Sequence, residues 1–189
     1  MKYRNLLFIS LLVLSHPCSI IANEHIGRQM SVHEFDELGL IVWLETEPES
    51  IYKIVRSARK HVLRIDTPAN VYPPISMTVV SFINMPLQPN EFDSVFDALL
   101  ETALIQHGLN PDNIRHIAKQ EAQYGELTGA EVVFQVNIHG DASDAKIFLG
   151  QGNGTGNGPD LLQAYTLAGK MSHIDGQLRR SWGNIQYMD

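Results

Sequence analysis

The chain has almost no cysteine: a single thiol, Cys18, stands among 189 residues. No internal disulfide can brace it, and no set of thiolates can close a zinc shell. It has no long apolar run either. The longest, residues 6–14 broken by Ser10, falls short of the ~30 Å of hydrocarbon that a spanning helix must cross. Basic residues are scarce, with 14 Lys and Arg against 21 Asp and Glu and a formal net charge of -7. There is no internal repeat, no low-complexity linker and no sign of a second core, so one domain is expected.

What is present begins at the N-terminus. Lys2 and Arg4 precede the apolar run, and Ile20, Ile21 and Ala22 end it on a small residue. This order of charge, short apolar stretch and small-residue end predicts a secretory signal over residues 1–22. The mature domain then spans residues 23–189, in a periplasmic or secreted compartment. Cys18 leaves with the signal, so the domain must rest on an ordinary core, which its size permits. The rival reading of Cys18 as a lipid-bearing residue is disfavoured by His16 and Pro17 just before it. No stable membrane anchor is expected.

Losing Lys2 and Arg4 leaves 12 basic residues against 21 acidic ones, a net charge near -9. An acidic surface repels phosphate backbones and anionic headgroups, which excludes nucleic acid as an expected partner. A basic protein partner or a cation is electrostatically easier, and another protein is the expected partner.

The clearest element is a helix over residues 90–107. Phe92, Val95, Phe96, Leu99, Leu100, Ala103 and Leu104 recur on one face, and Asp93, Ser94, Asp97, Glu101 and Thr102 lie off it. Elsewhere the period changes to two. Val132, Phe134, Val136 and Ile138 alternate with Val133, Gln135, Asn137 and His139. Similar strands are predicted over residues 40–45, 62–66, 77–83, 114–121, 146–149 and 161–168. Residues 140–144 and 150–159 read as hairpin loops. A second helix is predicted over residues 172–187, where Ile174, Leu178, Ser181, Ile185 and Met188 share a face. The expected fold class is therefore α+β: an antiparallel meander flanked by a long central helix and a C-terminal helix.

This order of elements, with Thr67-Pro68, Tyr72-Pro73-Pro74, the run Gly125-Glu126-Leu127-Thr128-Gly129-Ala130-Glu131 and a closing stretch from Ile174 to Ser181-Trp182, resembles the PsbP-like superfamily over residues 62–182. The resemblance implies a sandwich of helices about an antiparallel sheet, and a binding or accessory role without catalysis, as in bacterial envelope or secretion-associated members. It places no functional residue on this chain. The chain departs from photosynthetic members in lacking their metal-binding histidines, and from cytosolic ones in carrying an export signal.

Chemistry is hard to find. Gly150, Gly152, Gly154, Gly156 and Gly158 fit no dinucleotide register, and Pro159-Asp160 stands where a phosphate loop needs Lys and Ser or Thr. A single calcium nonapeptide, such as residues 156–162 suggest, cannot complete an ion's shell without stacked repeats, so a hairpin tip is the expectation. Asn153-Gly154-Thr155 is a glycosylation sequon only in a glycosylating compartment. His25, His33, His61, His107, His116, His139 and His173 show no metal spacing. There is no Gly-x-Ser-x-Gly elbow. Glu34, between His33 and near Asp36, reads as solvated surface. No catalytic, cofactor or metal residue is assigned, and no cofactor is expected.

The candidate protein interface is Trp43, Arg179, Arg180, Asp141 and Asp144. Tryptophan and arginine are common interface anchors, and the two aspartates are placed in an exposed hairpin loop. Trp182, four residues after Leu178, is expected in the core, and Trp43 opposite Leu40, Val42 and Leu44 invites the same reading. The expected function is that of an exported, non-catalytic binding or accessory protein of the bacterial periplasm. Alternatives are an immunity protein neutralising a secreted toxin, and an envelope hydrolase without a recognisable signature.

Overall fold

The structure is a computed structural model that describes residues 29–36, 38–46, 49–83, 85, 87–88, 90–106, 117–138, 140–152 and 158–188. The expected signal over residues 1–22, His25, His107, His116, His139 and the sequon at Asn153 lie outside the described residues.

In chain order the elements are β1 (Met30–Phe35), β2 (Leu40–Glu45), β3 (Ile51–Arg56), β4 (Lys60–Asp66), β5 (Ser76–Phe82), α1 (Phe92–Gln106), β6 (Gln120–Tyr124), β7 (Leu127–Ile138), β8 (Asp141–Gln151), β9 (Asp160–Leu167), α2 (Met171–Trp182) and β10 (Gln186–Tyr187). The strands form two antiparallel sheets. The small one runs β1-β2-β10, and the large one runs β3-β4-β5-β9-β8-β7-β6. The meanders β3 to β5 and β6 to β9 are joined at their middle by the β5–β9 ladder, in register Val79↔Leu162.

This corrects the α+β expectation. Of the described residues 51% lie in strands and 18% in helices, and the fold is not a sandwich with a long central helix. Three strands went unpredicted for identifiable reasons. β3 reads Ile51, Tyr52, Lys53, Ile54, Val55, Arg56, apolar on both faces, so it lacks the alternation that marks a half-buried strand. β1 mixes Ser31, His33 and Glu34 among its apolar residues. β10 has two residues and forms only because β2 is there to pair with, as Ile41↔Gln186 and Leu40↔Tyr187. The predicted C-terminal helix therefore stops early, at Trp182, where Gly183 caps it by donating its N–H to the Arg179 carbonyl at 2.9 Å.

The two faces of the large sheet are covered differently. Phe96, Leu100 and Ala103 of α1 pack on Val80, Val132 and Ile147, so the predicted apolar face of this helix is the buried one. The opposite face, with Leu63, Met77, Phe148 and Leu162, receives Ile174, Leu178 and Trp182 of α2 together with the inner face of the small sheet. Trp182 is fully buried, its ring edge-on to Tyr124 at 5.3 Å between centroids. The residues expected to form a loop after Gly140 are instead the start of β8; the turn is confined to the residues just before Asp141, where Gly140 takes φ +97 and donates its N–H to Asn137 Oδ1.

Candidate functional site

β3 is the outer strand of the large sheet and, among the described residues, has a ladder on one side only, in register Lys53↔Arg64 with β4. A strand in that position keeps one row of backbone donors and acceptors for whatever comes next. Its side chains are open too: Ile51 is 63% exposed and Val55 52%. Tyr52 is partly held, edge-on to Phe35 at 5.5 Å and to His33 at 5.6 Å. Between residues 53 and 64 stand Lys53, Arg56, Arg59, Lys60 and Arg64 with no acid among them, more than a third of the 14 basic residues of an acidic chain.

The β3–β4 turn is closed locally. Ser57 N–H donates to the Lys60 carbonyl at 3.0 Å, and Lys60 N–H donates to Ser57 Oγ at 3.2 Å. Arg64 is balanced by Asp66 through Nε–Oδ2 at 2.8 Å. No carboxylate pairs with Lys53, Arg59 or Lys60 among the described residues. At the hairpin tip a cleft of about 880 Å³ is lined by Arg59, Lys60, Phe82 and Met85, among others.

Other polar groups turn inward and join elements. Lys146 of β8, almost wholly buried, lies 3.0 Å from Asp175 Oδ1 and 3.4 Å from Glu131 Oε2, and donates to the Tyr124 hydroxyl at 3.2 Å. Burial alone would lower its ammonium, but Asp175, Tyr124 and Glu131 outweigh that and raise it. Asp160 is 2% exposed and accepts hydrogen bonds from the Ser81 hydroxyl and from the Tyr187 hydroxyl, the latter at 2.8 Å. Burial pushes its carboxyl up to about 6 against the pull of those two donors. Tyr187 in turn accepts the Gly152 N–H at 3.2 Å, so this cluster ties the end of β8 to β9 and β10.

One further pair faces a cleft. Ser31 Oγ and His33 Nε2 lie 2.7 Å apart beside a cleft of about 270 Å³, lined also by Glu45, Glu49 and Tyr52. Glu45 Oε1 accepts from Arg180 Nη2 at 3.0 Å. Among the described residues no three His, Cys, Asp or Glu side chains converge as a metal site would require.

The five sequence candidates sit apart, on β2, β8 and α2. Trp43 is half-buried, across from Val32 in the β1–β2 ladder, on the face opposite the buried Leu40, Val42 and Leu44. Arg180 is taken by Glu45, and Arg179 by Asp175 at 2.7 Å. Asp141 is exposed at the start of β8. Asp144 lies inside β8 rather than in a loop, 7% exposed, and its Oδ2 accepts the Met171 N–H at 3.1 Å. It thus caps α2 from another element, where Lys170 offers no side-chain cap. The feature that motif searching missed is the basic run on β3 and β4, which a sliding charge count along the sequence would have found.

No protein-family model matches this chain, and no curated protein matches it. No helix of the described residues is long and apolar enough to cross a membrane.

Proposed function

We propose that this is an exported, non-catalytic binding or accessory protein of the bacterial periplasm that acts by holding another protein. The observation that carries the reading is the β3–β4 hairpin, which turns Ile51 and Val55 outward beside a cluster of basic residues. Apolar side chains left in water next to a concentrated charge of one sign are what a recognition surface offers. Export rests on the order of charge and apolar residues over 1–22. The toxin-neutralising version would put contact on the acidic body instead of on this basic edge.

A second reading, an envelope hydrolase, is favoured by the Ser31–His33 contact. It lacks a carboxylate paired with the imidazole, which such catalysis would use to orient it: Glu45 and Glu49 line the same cleft, but no carboxylate pairs with His33 among the described residues. A panel of ester, amide and glycoside substrates offered to the purified mature protein separates the two. No turnover is expected. Turnover that disappears in Ser31→Ala would replace the binding reading with the hydrolytic one.

A further inference from the structure

We propose that β3 docks an extended acidic segment of a partner protein, which adds to the large sheet as a further strand. The proposal rests on the protein-binding reading above and names its site and the partner's chemistry. Three observations converge on β3. It is a sheet edge, with a ladder to β4 alone among the described residues. All but one of its six residues are exposed, including Ile51 and Val55. Its immediate surroundings are basic, with Lys53, Arg59 and Lys60 carrying no ion pair among the described residues.

Edges of this kind are normally blunted by shortness, by a covering element or by charges that repel a neighbour. Here the charges select rather than block. A second copy of this chain pairing through its own β3 would bring two basic clusters to one edge, which like-charge repulsion disfavours. An acidic strand would meet opposite charge, and its backbone would meet open donors and acceptors, the combination used in strand addition. Ile51 and Val55 lie on one face and Ile54 on the other, so the incoming strand needs apolar side chains on both faces. Its first acid belongs opposite Lys53 and its second toward the turn that carries Arg59 and Lys60. A nucleic acid would satisfy the charge and leave the backbone row unanswered.

The test is fluorescence anisotropy of a labelled, end-capped hexapeptide with two glutamates three apart and valine elsewhere, titrated with the full mature chain at low salt. Saturable binding is expected, weakened about ten-fold or more by Lys53→Glu with Arg59→Glu, both exposed positions. A version of the peptide N-methylated on alternate amides keeps its charge but cannot pair with a strand, and it is expected not to bind. Equal binding by the N-methylated peptide, by a single-stranded oligonucleotide of similar charge, or to the doubly reversed variant would each overturn the proposal. So would absence of binding, or a dimer in sedimentation that the charge reversal strengthens. The substrate panel tests the parent reading separately, so silence in both assays removes the β3 site alone.

Discussion

Lys146 Nζ lies 3.0 Å from Asp175 Oδ1, and this contact ties the middle of β8 to the exposed side of α2 through a nearly buried cation. The same ammonium serves Glu131 and Tyr124, so charge is balanced around it. Replacing Lys146 by Met is expected to cost about 3 kcal/mol, because Glu131 and Asp175 would keep their charges without it. Adding Glu131→Gln to that variant should recover part of the loss. Urea denaturation of the single and double variants checks both.

Asp160 makes stability fall with rising pH. Its carboxyl titrates near 6 in the folded chain against 3.8 when exposed, so between those values the native state holds a proton that the unfolded state has released. Stability from this group is complete below 3.8 and declines until about 6. The loss should be roughly 2 to 3 kcal/mol. Asp160→Asn is expected to be as stable as the parent near pH 4, more stable near pH 8, and free of the slope between. The difference between their pH–stability curves is the measurement.

Asp144 has the opposite sign. Burial would raise its carboxyl, but the backbone N–H groups of Met171, Gly169 and Lys170 and the Gln135 amide hold it below the usual range. Its contribution is present above 3.8 and is lost as pH falls through the lower folded value. Asp144→Ala should cost about 1 to 2 kcal/mol at neutral pH by uncapping α2. At strongly acid pH the variant and the parent should converge in thermal melts.

Gly129 stands opposite Gly150 in the β7–β8 ladder, and a Cβ there would fall on the Leu149 backbone carbonyl. Gly129→Ala should therefore destabilise the chain by about 2 kcal/mol or more, as overpacking against an immovable group does. Gly140→Ala meets nothing within 4 Å and carries only the strain of φ +97, so about 1 kcal/mol is expected. Guanidinium melts of the two variants give the comparison.

On α1, Leu100 is 1% exposed among Val80, Val132 and Ile147, whereas Glu101 is exposed. Leu100→Ala should cost about 2 to 5 kcal/mol, and Glu101→Ala less than about 0.5 kcal/mol. Equal losses in chemical denaturation would contradict the placement of this helix on the sheet.

Local periodicity carried the sequence reading where burial is one-sided. β2 was legible in its bounds and in its inner face of Leu40, Val42 and Leu44, whereas Trp43, for which a core position was also weighed, is half-buried on the other face. The buried face of α1 was legible for the same reason. The failures have a common cause in partners distant along the chain. β3 is exposed on both faces and shows no period, β10 exists through β2, and Asp144 was read as a turn former when its hydrogen bonds come from α2. The missing elements were mostly strands, and that is why helices were given too large a share of the fold. Of the candidate site, the basic run from Lys53 to Arg64 was visible as composition. Its position on a sheet edge was not, because edge status is a property of strand order.

The pairing of β10 with β2 joins Ile41 to Gln186, positions separated by most of the described chain, and the Tyr187 hydroxyl fastens that strand to Asp160. High contact order of this kind slows folding, because loop-closure entropy is spent before any pairing rewards it. The β2–β10 ladder should therefore form last. Until it does, the inner faces of Leu40, Val42 and Leu44 stay open to solvent, and the nascent chain is at its most vulnerable to aggregation in that interval.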